Sequence, residues 1–151
     1  MDVRRVHKHF GAAALGCVLI AASGGTVIAG EPTLVTVTNV TFERNATLCG
    51  ELATSACVRV SGTMTCDAAG PAEWVEVVLT QRGVTGQDNL DLLDFACSTE
   101  PRAFRVAAET FTCEVEFTGR REGCFRPGLA TVQAVKDGVV IAEETVLIRK
   151  E

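Results

Sequence analysis

Six of the seven cysteines in this 151-residue chain, Cys49, Cys57, Cys66, Cys97, Cys113 and Cys124, fall between residues 49 and 124. No other feature limits the fold as much. An even set of cysteines in a short exported chain is the mark of a disulfide framework, and three bridges are expected if the chain reaches an oxidising compartment. Six cysteines can pair in many ways, and the sequence alone does not choose among them. Short intervening loops make Cys49 with Cys57 and Cys113 with Cys124 natural staples, which leaves Cys66 with Cys97. Each bridge restricts the unfolded chain and is worth about 2–4 kcal/mol. A zinc site is the rival reading. It is weak, because there is no CxxC pair and both histidines, His7 and His9, precede residue 10.

The N-terminus supplies the export. Arg4, Arg5 and Lys8 precede an uncharged run from Phe10 to Ala22, and Val27-Ile28-Ala29 offers small or modest side chains before a cut. Residues 1–29 read as a secretory signal peptide and 30–151 as one domain. The apolar run is too short to span a bilayer, and no later segment is long enough. A lipoprotein reading of Ala14-Leu15-Gly16-Cys17 fits poorly, because most of the apolar run follows the cysteine. Cleavage removes Arg4, Arg5, Lys8 and Asp2, so 14 basic residues become 11, 19 acidic ones become 18, and the net charge moves from −5 to −7. Such a charge argues against nucleic acid or anionic lipid as a partner. A secreted monomer is expected, with no membrane span and no cofactor.

After residue 32 the apolar residues recur with a period of two. Val35 and Val37 alternate with Thr36 and Thr38. Val58, Val60 and Met64 share one side of their segment, as do Val75, Val77 and Leu79, and Phe104, Val106 and Ala108. Thr110 to Thr118 alternates most regularly, with Phe111, Cys113, Val115 and Phe117 on the side expected to be buried. Leu129 to Lys136 and Val139 to Arg149 flank Asp137-Gly138, which suits a two-residue hairpin turn. Pro32, Pro71, Pro101 and Pro127 all fall between these segments, where a missing donor breaks no sheet. Gly83 to Ser98 follows neither period; a short helical turn or an edge strand is expected there. The sum is an all-β chain of about seven strands, expected as two packed antiparallel sheets.

Gly62-Thr63-Met64-Thr65-Cys66, Val75 to Arg82, Cys97 with Phe104 seven residues on, and Phe125 to Ala130 resemble segments of small exported immunoglobulin-like domains of high-GC Gram-positive bacteria. The resemblance implies an immunoglobulin-like antiparallel β-sandwich and supports the bridge from Cys66 to Cys97. The added cysteines, and Phe104 where such domains more often carry Trp, depart from the pattern. No activity is implied.

Candidate chemistry is sparse. Catalysis of the Ser-His-Asp or Cys-His kind needs a base that the mature chain lacks, since it holds no histidine. Glu114 and Glu116 are the remaining carboxylate pair, but they alternate with an apolar face and read as a solvated sheet surface. Asp88, Asp91 and Asp94 cluster in the irregular segment without matching a calcium loop. Asn39-Val40-Thr41 and Asn45-Ala46-Thr47 fit the glycosylation pattern, read here as chance. The Cys113 to Cys124 loop carries Arg120 and Arg121, and a clamped loop with two arginines has the form of a substrate-like inhibitor of a trypsin-like protease. Trp74 and Phe104 could line an apolar cleft like that of the neocarzinostatin-type chromoproteins, though a lone Trp is more often core. The expectation is a non-catalytic extracellular binding or structural module whose partner is a protein or small ligand, with the inhibitor as the alternative.

Overall fold

The computed structural model describes residues 33–50, 52–90, 96–115 and 121–151. In chain order the strands are β1 (Val37–Phe42), β2 (Asn45–Leu48), β3 (Cys57–Cys66), β4 (Gly70–Pro71), β5 (Val75–Gln81), β6 (Val84–Leu90), β7 (Ala96–Cys97), β8 (Arg102–Glu109), β9 (Glu114–Val115), β10 (Arg121–Glu122), β11 (Gly128–Lys136) and β12 (Val139–Arg149). The described residues contain no helix. The signal segment, His7, His9, Cys17, Asp91, Asp94, Glu116, Phe117 and Arg120 lie outside them.

The alternation of the sequence becomes one continuous core. Burial alternates residue by residue along β3, so Val58, Val60 and Met64 point inward, joined by Val75, Val77 and Leu79 of β5 and by Phe104, Val106 and Ala108 of β8. Val132 and Ala134 of β11 and Val146 and Ile148 of β12 complete the set. Phe42 and Phe104 meet edge to face, 6.0 Å between centroids, over Gly62. A Cβ on Gly62 would lie 2.6 Å from Phe104 Cζ, so the small residue makes room for the ring.

The expected immunoglobulin-like sandwich is not the architecture. Seven strands, β3-β2-β12-β11-β5-β6-β8, form a ring that closes where β8 returns to β3, giving a barrel. β1 lies beside the same ring, paired with the far half of β3. A sandwich would keep the edges of its two sheets apart, and here both gaps are bridged. On one side the four-residue β2 pairs antiparallel with β3 and parallel with β12. On the other, β6 and β8 meet at Gln87 and Glu109. Closure removes the exposed edges that open sheets must protect.

Three disulfides tie the ring, joining Cys49 to Cys57, Cys66 to Cys97 and Cys113 to Cys124. The two short-loop bridges stand together at one end. Ser55 and Phe125 exchange backbone hydrogen bonds of 3.0 and 2.9 Å, zipping one loop to the other. Gln81 is buried nearby, where its Nε2 donates to the carbonyls of Arg126 and Leu129 and its Oε1 accepts from the Arg126 amide, so the start of β11 is anchored to β5. At the opposite end Asp137 and Gly138, both left-handed with φ of 50° and 76°, make the tight turn between β11 and β12.

Three further expectations are corrected. The regular alternation after Thr110 does not make a long strand. β8 ends at Glu109, Thr110 turns inward and takes a hydrogen bond network with Thr112, and Phe111 stands in solvent. The segment from Gly83, expected to be a helical turn or an edge strand, supplies β6, a full member of the ring. Trp74 is exposed while Phe104 is buried against Phe42, so the two do not line a common apolar cleft.

Candidate functional site

The outer face of the barrel where β6 meets β8 holds a cleft of about 360 Å³ lined by Gln87, Asp88, Asn89, Ala107, Glu109 and Phe111. Its position follows from the ladder. β5 and β6 pair along their full length, but β6 and β8 share one register pair, Gln87 with Glu109. Just beyond it the Asp88 carboxylate takes over from the backbone: Oδ2 accepts the Ala107 amide at 2.8 Å and Oδ1 accepts the Asn89 amide at 2.7 Å. A side chain thus bridges the seam where the strands diverge, and divergence opens the cleft.

Phe111 forms its wall. The ring is 93% exposed, on a turn fixed by the Thr110 and Thr112 hydroxyls, 2.9 Å apart, and by the bond from Thr112 Oγ1 to the Gly123 carbonyl. Single exposed apolar residues are ordinary on protein surfaces. Here the ring stands beside two side-chain amides, Gln87 and Asn89, that bond to no other protein group among the described residues.

The arginine loop is built differently. Arg121 lies on β10, opposite Val115 of β9, and its Nη1 donates to the Thr54 carbonyl at 3.1 Å. Arg126 Nη2 in turn donates to the Arg121 carbonyl at 3.1 Å. The Arg121 guanidinium is therefore turned back against the Cys49 to Cys57 loop. Arg120 lies outside the described residues. Glu114 sits opposite Glu122 in the same small ladder. Of the three clustered aspartates, Asp88 is a backbone acceptor in the seam, and Asp91 and Asp94 lie outside the described residues. No group of three metal-ligating side chains occurs among the described residues.

No family model and no curated protein matches the chain. Among solved structures it is similar to the β-glucosidase of Listeria innocua in complex with glucose, with 15% identity and a TM-score of 0.38 over 73% of this chain and 16% of that one. The β-glucosidase of Bifidobacterium adolescentis gives 17% identity and a TM-score of 0.37 over 78% of this chain and 17% of that one. Alkylpurine DNA glycosylase of Pseudomonas fluorescens, bound to DNA with an abasic site analogue, gives 15% and 0.35 over 78% and 30%. The chain spans less than a fifth of the length of either glucosidase.

Sequence reasoning missed Gln87, Asn89, Glu109 and Phe111 as site residues. A signal for the first two was present: Val84-Thr85-Gly86-Gln87-Asp88-Asn89-Leu90 is polar for a strand inside a ring. Phe111 gave none, because its neighbours continue an alternation that reads as core.

Proposed function

We propose that the chain is an exported, non-catalytic binding module that recognises its ligand through the cleft on the β6–β8 seam. The observation that carries the reading is Phe111, almost wholly in solvent at the wall of a cleft whose amide side chains, Gln87 and Asn89, bond to no other group among the described residues. Full burial of such a ring is worth about 1.5–3 kcal/mol, a gain left for a ligand to collect. Aromatic residues in such positions commonly dominate binding energy.

Export is supported by the basic N-terminus with its apolar run, and by the three disulfides, which suit an oxidising compartment. No helix of the described residues is long and apolar enough to cross a membrane. A non-catalytic role is supported by the histidines, which both lie in the first nine residues, and by the commitment of Asp88 to backbone amides.

Capture from culture supernatant tests the reading. Immobilised wild-type chain should retain material that Phe111→Ala does not, while Arg121→Ala behaves as wild type. Equal retention by wild type and Phe111→Ala, or retention by neither, would overturn it.

A further inference from the structure

We infer that the ligand of this cleft is a neutral saccharide chain lying across the outer faces of β6, β8 and β3. The inference rests on the reading of the cleft as a binding site and names its ligand class.

The cleft does not end at the seam. Ala107, its floor, also borders a second depression of about 500 Å³ lined by Arg59, Arg105, Val106 and Glu151. Arg59 is opposite Ala107 in the β3–β8 ladder, and its Nη1 pairs with Glu151 at 3.0 Å. Between the larger Arg105 and Glu109, the small outward-facing Ala107 leaves a trough. Three neighbouring strands put its ends about 10 Å apart, two inter-strand spacings. An open trough of that span suits more than one ring of a chain better than it suits an enclosed small molecule.

Its chemistry selects hydroxyl groups. A hydroxyl both donates and accepts, and its natural partner is a side-chain amide, which does the same, next to a carboxylate, which accepts. Gln87 and Asn89 supply the amides and Glu109 the carboxylate, while Asp88, held by the Asn89 and Ala107 amides, is oriented before any ligand arrives. Phe111 adds an aromatic face whose negative quadrupole attracts the polarised C–H groups on one side of a pyranose. The alternatives fit less well. An apolar ligand would leave two amides buried without partners, a penalty each time. An anion seated at the seam would meet the Asp88 and Glu109 carboxylates, and of the two arginines farther along the trough Arg59 is already paired with Glu151.

Native electrophoresis through gels containing a dissolved β-glucan, α-glucan, mannan, xylan or arabinogalactan tests this. The wild-type chain should be retarded in at least one gel, with Phe111→Ala and Gln87→Ala each weakening the apparent affinity at least about tenfold and Phe111→Trp preserving it. Phe111 is exposed, so loss of retardation in the alanine variant reports binding and not folding. Retardation that survives Phe111→Ala would overturn the assignment, as would retardation in none of the gels. Sugar analysis of the captured material after acid hydrolysis separates the two claims: Phe111-dependent capture of material that yields no sugar would leave the binding module standing and eliminate the saccharide, whereas the absence of any Phe111-dependent capture would eliminate both.

Discussion

Asp88 and Ala107 close the barrel at the point where its strands stop pairing: the carboxylate oxygen Oδ2 accepts the Ala107 amide at 2.8 Å, across a seam with one backbone register pair. The second oxygen holds the Asn89 amide. One side chain thereby satisfies two backbone donors that would otherwise lose their acceptors near the protein interior. Asp88→Ala should cost about 1–3 kcal/mol in urea denaturation, the usual penalty for orphaned donors. Phe111→Ala, in the lining of the same cleft, should stay within about 0.5 kcal/mol of wild type because its ring is already in water. Equal effects of the two substitutions would contradict this division between a residue that closes the fold and one that faces the ligand.

The three disulfides should not be equivalent. Cys66 to Cys97 spans 31 residues, against 8 for Cys49 to Cys57 and 11 for Cys113 to Cys124. Loop-closure entropy grows with the logarithm of loop length, so replacing Cys66 and Cys97 together with Ala should destabilise by about 1 kcal/mol more than replacing Cys49 and Cys57. Thermal unfolding of the two double variants measures the difference.

Gly62→Ala tests the core. The added Cβ would collide with the Thr41 backbone carbonyl oxygen and meet Phe104 Cζ at 2.6 Å, and Phe104 cannot retreat freely because Phe42 stands edge to face against it. Overpacking of this kind costs about 1–3 kcal/mol, visible as a lowered Tm.

How far the sequence revealed this molecule depends on the range of the interaction. β3, β5, β8 and β11 are legible because their apolar residues alternate, and β12 is legible from the turn at Asp137-Gly138, where left-handed backbone fits. The short-loop disulfides are legible for the same local reason. Closure is not, since it depends on a four-residue strand, β2, bridging β3 to β12 from Asn45 to Thr47, and on the single pairing of Gln87 with Glu109. Neither leaves a periodic trace. Phe111 was misread as core because alternation does not say where a strand stops. The Thr110 side chain, buried and bonded to the Thr112 hydroxyl, turns the chain where the pattern has a strand running on to Thr118. The arginine loop was visible in sequence, but the Thr54 carbonyl that holds Arg121 comes from 67 positions away.

That hydrogen bond carries its own prediction. An inhibitor of a trypsin-like protease must project its primary specificity residue into an acidic pocket, and Arg121 is instead turned onto Thr54. Arg121→Ala should therefore leave the chain's effect on trypsin unchanged at stoichiometric concentrations in a chromogenic peptide assay. Stoichiometric inhibition lost on Arg121→Ala would show that the loop rearranges to present this side chain.

The account turns on where the ligand sits, and amide chemical shifts of the isotopically labelled chain locate it. On addition of the supernatant fraction retained by the immobilised wild-type chain, the largest perturbations should fall on Gln87, Asn89, Ala107, Glu109 and Phe111, with Arg59 and Arg105 next. Perturbations confined to Arg121, Arg126 and the Cys49 to Cys57 loop would move the binding site to the arginine loop and contradict the account.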